Sequence, residues 1–123
     1  MKKKEDKKIE PQIVDATAKT LGRLASSVAV VLLGKNKSTF KRNAFSGSPV
    51  KVINASKMSI TTEKLNTLEH KRYSGYPGGL TIMSGSEVIE KKGYKELLHH
   101  AISKMLPANK LKKTMIKNLT IEE

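Results

Sequence analysis

Between Leu21 and Leu33, apolar residues recur at Leu21, Leu24, Ala25, Val28 and Leu32, one stripe of a helical repeat. Ala29, Val30, Val31 and Leu33 make the second half of that segment apolar on every side, the pattern of a helix sandwiched between other elements. Thr20 stands at a suitable N-cap, and Gly34 suits the left-handed position just past the end. The β-branched Val28, Val30 and Val31 lower its intrinsic propensity, so packing must hold it. The clearest helical repeat comes later: Tyr94, Leu97, Leu98, Ala101, Ile102, Met105 and Leu106 fall on one face. Ahead of it, Ser84–Lys92 predicts a helix opened by a capping box, Ser84 with Glu87, and interrupted at Gly93. Pro107 ends the long helix, and Asn109 can cap a last one. There Leu111 and Met115 share a face, with Lys110, Lys113 and Lys117 on the other side.

The remaining apolar runs are short. Ile13–Asp15 predicts a buried strand and Val50–Ala55 a second. Met58 and Ile60 alternate after a bend, and Leu119–Ile121 can close as an edge strand. Lys35–Pro49 is polar and reads as a basic loop; His70–Leu80, rich in Gly and Pro, reads as another loop. Strands separated by helices imply an α/β fold with a small, mostly parallel sheet. Neither a linker nor an internal repeat is visible. The pattern predicts a single domain over residues 11–123 behind a basic, flexible N-terminal tail, residues 1–10, of sequence MKKKEDKKIE.

Charge changes this picture from a generic fold to a binder. Lys+Arg number 24 against 11 Asp+Glu, a formal net charge of +13. The acids are also segregated. None lies between Asp15 and Glu63, a stretch that carries Lys19, Arg23, Lys35, Lys37, Lys41 and Arg42. None lies from Leu97 to Ile121, where Lys110, Lys113 and Lys117 stand. Solvated faces usually mix signs, because like charges repel. Two long acid-free stretches therefore point to a polyanionic partner. Cys is absent, which excludes disulfides, thiolate metal sites and Cys nucleophiles. No apolar run is long enough to span a membrane, and the N-terminus lacks the apolar segment of a secretory signal.

Catalytic chemistry is poorly supplied. Asp15 is the only acid between Pro11 and Thr62, so no local carboxylate pair is visible, and its place before a turn suits hydrogen bonding to backbone amides. His99 and His100 are adjacent, not four apart as a helical metal pair requires, so they and His70 read as surface histidines. Neither a nucleophile elbow nor a phosphate-binding glycine loop occurs. The reading is a non-enzyme with no cofactor, no metal and no small-molecule substrate. Binding chemistry is better supplied. Tyr73, Ser74, Gly75, Tyr76, Pro77, Gly78 and Gly79 join two phenol rings to glycines that permit close backbone approach, with Arg72 alongside.

Several segments carry a resemblance. They are Ile13-Val14-Asp15-Ala16, Thr20-Leu21-Gly22-Arg23-Leu24-Ala25-Ser26, Gly34-Lys35-x-Lys37, Val52-Ile53-Asn54-Ala55-x-Lys57, Ser74-Gly75-Tyr76-Pro77-Gly78-Gly79-Leu80 and Met105-Leu106-Pro107-x-Asn109-Lys110-Leu111. In this order they resemble the large-subunit ribosomal protein thirteen family in its bacterial form, over Ile13 to Leu119. The resemblance implies a three-layer α/β/α fold around a small parallel sheet. It implies a cytoplasmic structural constituent of the large ribosomal subunit that binds large-subunit rRNA early in assembly. Neighbouring ribosomal proteins, rather than a second copy of itself, would complete its surroundings. The RNA-binding set expected is Lys19, Arg23, Lys35, Lys37, Lys41, Arg42, Arg72, the Tyr73–Gly79 loop, Asn109, Lys110, Lys113 and Lys117. Two departures stand out. Ser46-Gly47-Ser48 occupies a place where the family carries Asp-Gly-Asp, and the chain ends at Glu123 before the family's Tyr-x-Gly and His-Pro-His stretch.

Overall fold

A computed structural model describes residues 10–123; the basic tail expected over residues 1–10 lies, apart from Glu10, outside the described residues. The elements run β1 (Gln12–Asp15), α1 (Leu21–Leu33), β2 (Val50–Ile53), a 3-10 turn (Ala55–Lys57), α2 (Thr62–Thr67), β3 (Glu69–Tyr73), β4 (Leu80–Ser84), α3 (Gly85–Met105), α4 (Leu111–Lys117) and β5 (Leu119–Ile121). The sheet has the order β1-β2-β5, and both ladders are parallel, with Val14 beside Val52 and Val52 beside Ile121. Parallel neighbours need a crossover, which α1 and the loop behind it supply between β1 and β2. The architecture is α/β, with helices packed about a small, mostly parallel sheet.

The central strand explains the core. Val50 and Val52 of β2 are buried, and α1 packs on β2 and on α3. Leu24, Val28 and Leu32 of α1 meet Leu97, Leu98 and Ile102 of α3 in one cluster, all sealed from solvent. The helical stripes read from sequence are thus the two sides of one core. Each such side chain, fully buried, contributes about 1.5–3 kcal/mol relative to exposure.

Helix ends follow their sequence signals with one exception. Gly34 takes φ 79°, and its N–H donates to the carbonyls of Val30 and Val31 at 3.1 and 3.0 Å. Ser84 Oγ accepts the Glu87 N–H at 3.4 Å, and Asn109 Oδ1 accepts the Lys112 N–H at 3.1 Å. Gly93, at φ 80° and ψ 176°, kinks α3, and Glu123 Oε1 accepts the Lys95 N–H at 2.9 Å just past the kink. The exception is Thr20, whose side chain makes no capping hydrogen bond.

Two expectations need correction. The Ile13–Asp15 strand is not buried: β1 is an edge strand with one partner among the described residues, and Ile13 is 66% exposed. The His70–Leu80 segment is not all loop. Glu69–Tyr73 and Leu80–Ser84 pair antiparallel as a hairpin, with only Ser74–Gly79 turning. Its first strand reads Glu-His-Lys-Arg-Tyr, mostly exposed, so no apolar alternation announces it. The short α2, with no fully buried residue, also lacks a periodic signal. Among the described residues no helix is long and apolar enough to cross a membrane.

Candidate nucleic-acid interface

The expected contact residues fall into three groups. The first forms around the C-terminus of α1. The 34–49 loop leaves at Gly34 and returns at Gly47, and both ends are pinned. A Cβ at Gly34 would sit 2.7 Å from the Ser46 carbonyl oxygen, and one at Gly47 would collide with the Leu32 carbonyl. The Ser48 N–H donates to the Val31 carbonyl at 3.4 Å. Ser46 Oγ is buried without a hydrogen-bond partner. Between these anchors the loop carries Lys35, Lys37, Lys41 and Arg42; Lys35, Lys41 and Arg42 are exposed, and Lys37 is half-buried.

This pinned loop faces the α3–α4 corner across a cleft of about 480 Å³. Lys35, Lys41 and Arg42 line one side, and Met105, Pro107 and Asn109 line the other. The fold thereby joins residues about 70 positions apart in sequence, and among the described residues no carboxylate lines the cleft. Lys110 beside Asn109 is exposed, as are Lys113 and Lys117 on the outward side of α4, whose Met115 is buried.

The second group stands at the other end of α1. Lys19 and Arg23 are exposed there, separated from the loop by a 13-residue helix, about 20 Å. The turn beneath them is ordered by Asp15. Its Oδ1 accepts from the Thr17 N–H at 3.0 Å, the Thr17 hydroxyl at 2.7 Å and Asn54 Nδ2 at 3.2 Å. The Thr17 backbone donor first, then those side-chain donors and the charge of Lys19, pull the Asp15 carboxyl from 3.8 to about 2. Asp15 thus does what its position before a turn predicted. Ala18, held at φ 58° by the same turn, sits in the left-handed region that L residues avoid.

The third group is the hairpin tip. Tyr73 and Tyr76 are 63% and 76% exposed, and Arg72 and Ser74 are exposed too. The Gly79 N–H closes the tip on the Tyr76 carbonyl at 3.0 Å. Gly75 and Gly78 take φ 90° and 76°, with open space where a Cβ would stand. The loop cations and the Lys19–Arg23 pair stand a helix length apart, while the base of the hairpin, at Glu69 and His70, borders Leu21 and Gly22 at the start of α1; the sequence could not show this.

The histidines differ from expectation. His70 and His100 are half-buried, with ring centroids 4.2 Å apart, and join the hairpin base to α3. Burial above all holds both imidazoles below their ordinary value. Among the described residues no group of three or more His, Cys, Asp or Glu could hold a metal ion.

Comparison with known proteins fits this arrangement. The sequence model of the family described as Ribosomal protein L13 matches residues 10–122. The chain belongs to the ribosomal protein L13 family. The large ribosomal subunit protein uL13 of Sulfurihydrogenibium is 44% identical over 119 residues, covering 97% of this chain and 79% of the relative. The corresponding protein of Thermoanaerobacter is 40% identical over 121 residues, covering 98% and 84%. That of Clostridioides difficile is 42% identical over 109 residues, covering 89% and 76%. As an L13-family member the chain is a structural, non-enzymatic ribosomal protein of the cytoplasmic ribosome. The L13 resemblance read from six short motifs therefore extends over nearly the whole chain.

The apolar floor of the cleft is what the sequence reading missed. Phe40, Leu106 and Leu111 line it together with the cations. The signal available was Phe40, one of two aromatic residues, with Phe45, inside a mostly polar basic loop.

Proposed function

We propose that this chain binds and stabilises large-subunit rRNA, entering the subunit early in assembly beside other large-subunit proteins. The observation that carries this reading is the fold's use of the acid-free stretches. Lys35, Lys41 and Arg42 stand together across from Asn109 around a cleft that no carboxylate among the described residues lines, so these cations repel one another until an anion arrives. A ribosomal protein meets one abundant polyanion, the phosphate backbone of rRNA. Contacts from Lys35, Lys37, Lys41, Arg42, Lys110, Lys113 and Lys117 are to phosphate and sugar, because ammonium and guanidinium groups recognise those wherever they fall. Lys19 and Arg23 give a second contact, and the hairpin tip, with Arg72 and Tyr73–Gly79, a third. Gly75 and Gly78 bring the tip backbone close to its partner without an intervening side chain.

Two measurements test this. Filter binding with an in-vitro large-subunit rRNA transcript reads affinity; replacing Lys35, Lys41 and Arg42 by Gln weakens it uniformly across rRNA fragments. Pulse-labelling reads order: the protein enters the lightest precursor particles. Undiminished affinity of the triple variant, or appearance only in completed subunits, contradicts the corresponding half of the proposal.

A further inference from the structure

Phosphate docking needs cations but no apolar floor, and the cleft beside the pinned loop has both. Deepening the rRNA reading and resting on it, we propose that this cleft is a pocket for one unstacked rRNA nucleotide. The base lies against Phe40, Met105 and Leu111, and its flanking phosphates lie on Lys35, Lys41 and Arg42.

The chemistry of the lining selects this occupant. About 480 Å³ falls within the roughly 300–1,000 Å³ that houses ligands of small-molecule size. An apolar side chain from a protein would match the floor and leave three cations without partners. A stretch of duplex backbone would match the cations and leave the floor in contact with water. A nucleotide pulled out of its stack presents a flat apolar face and two anionic links at once. Met105 is 42% exposed, and its thioether arm can adapt to a flat ring. Phe40, half-buried in the loop, supplies the one aromatic wall. Asn109 gives an edge reader. Its Oδ1 is already engaged by the Lys112 N–H at 3.1 Å, which turns the two Nδ2 donors toward other acceptors, such as a base edge.

The test fills the pocket without touching its charge. Ala44 is exposed and lines the cleft, so Ala44→Trp occupies the space of a base. Phe40→Ala removes the wall instead and guards against a misfolded Trp variant; melting curves report folding of both. With the in-vitro large-subunit rRNA transcript, each variant should bind about 5- to 150-fold more weakly, the range expected for one lost base stack. The slope of log affinity against log salt should not change, because the phosphates are still neutralised. Dimethyl sulfate and carbodiimide probing should show one base protected by the unaltered protein and reactive with either variant. Folded variants that bind as tightly as the unaltered protein, with the same protections, overturn the pocket and leave the rRNA reading standing. Full rRNA affinity with failure to enter subunits also overturns it, and assigns the cleft to a protein side chain. Absence of rRNA binding by the unaltered protein overturns the underlying reading as well.

Discussion

The 34–49 loop and the hairpin tip at Ser74–Gly79 are both polar, glycine-bearing and largely exposed, yet the fold holds them in opposite ways. Gly34 and Gly47 are pressed against backbone carbonyls, so their missing side chains serve the packing of this chain on itself. Gly75 and Gly78 face open space, so their missing side chains serve a positive φ and whatever approaches from outside. The first loop is an extension of the core, and its cations are presented on a fixed base. The second is a free tip whose shape is its own. Glycine in a basic loop is therefore not one signal but two, and only neighbours in space tell them apart.

Substitutions can break or sharpen this contrast. The core sets the upper end of the scale: Leu98→Ala, in a fully buried site between α1 and α3, should cost about 2–5 kcal/mol in chemical denaturation. If the 34–49 loop is an extension of that core, Gly47→Ala should follow at about 1–3 kcal/mol, because a Cβ there meets the Leu32 carbonyl and the loop must shift. An unchanged melting curve for Gly47→Ala would erase the distinction between the two loops. Gly78→Ala should cost less, about 1–2 kcal/mol for a left-handed Ala, while incorporation into large subunits falls well below normal. Normal incorporation would make the tip a simple turn.

The mildest perturbation is acid. Burial keeps His70 and His100 below 6.5 in the folded protein, so the folded state takes up protons less readily than the unfolded chain. Stability is therefore full above about pH 6.5 and declines as pH falls through it. The Asp15 carboxyl acts lower: its contribution is present above 3.8 and is lost as pH falls toward about 2. Since the histidine pair joins the hairpin to α3, amide exchange at pH 5 against pH 7 should show β3 and β4 losing protection before α1. Uniform loss across the molecule would mean that the pair does not fasten the hairpin.

Legibility in the sequence followed the same divide. Elements with a buried face were readable: α1 begins at Leu21 and ends at Leu33 as its stripe, Thr20 and Gly34 indicate, and Ser84 caps α3 as its spacing with Glu87 indicates. Elements without one were not. The hairpin strands are mostly exposed and are fixed by pairing with each other and by contacts at their base, which no local pattern records. For the candidate interface, charge segregation singled out the cations as a class, and the fold leaves most of them exposed. It could not show that Lys35 and Arg42 share a cleft with Asn109 while Lys19 and Arg23 stand a helix length away. Nor could it show that Phe40 and Met105 close the floor, because that surface exists only once α3 packs beside α1.

The central claim is that phosphate neutralisation by these cationic surfaces dominates rRNA binding. It is tested most directly by titrating salt against affinity for a large-subunit rRNA transcript. With about six phosphates neutralised, affinity should fall about 10³-fold between 50 and 200 mM salt, along a straight log–log line. A flat titration over that range would contradict the account.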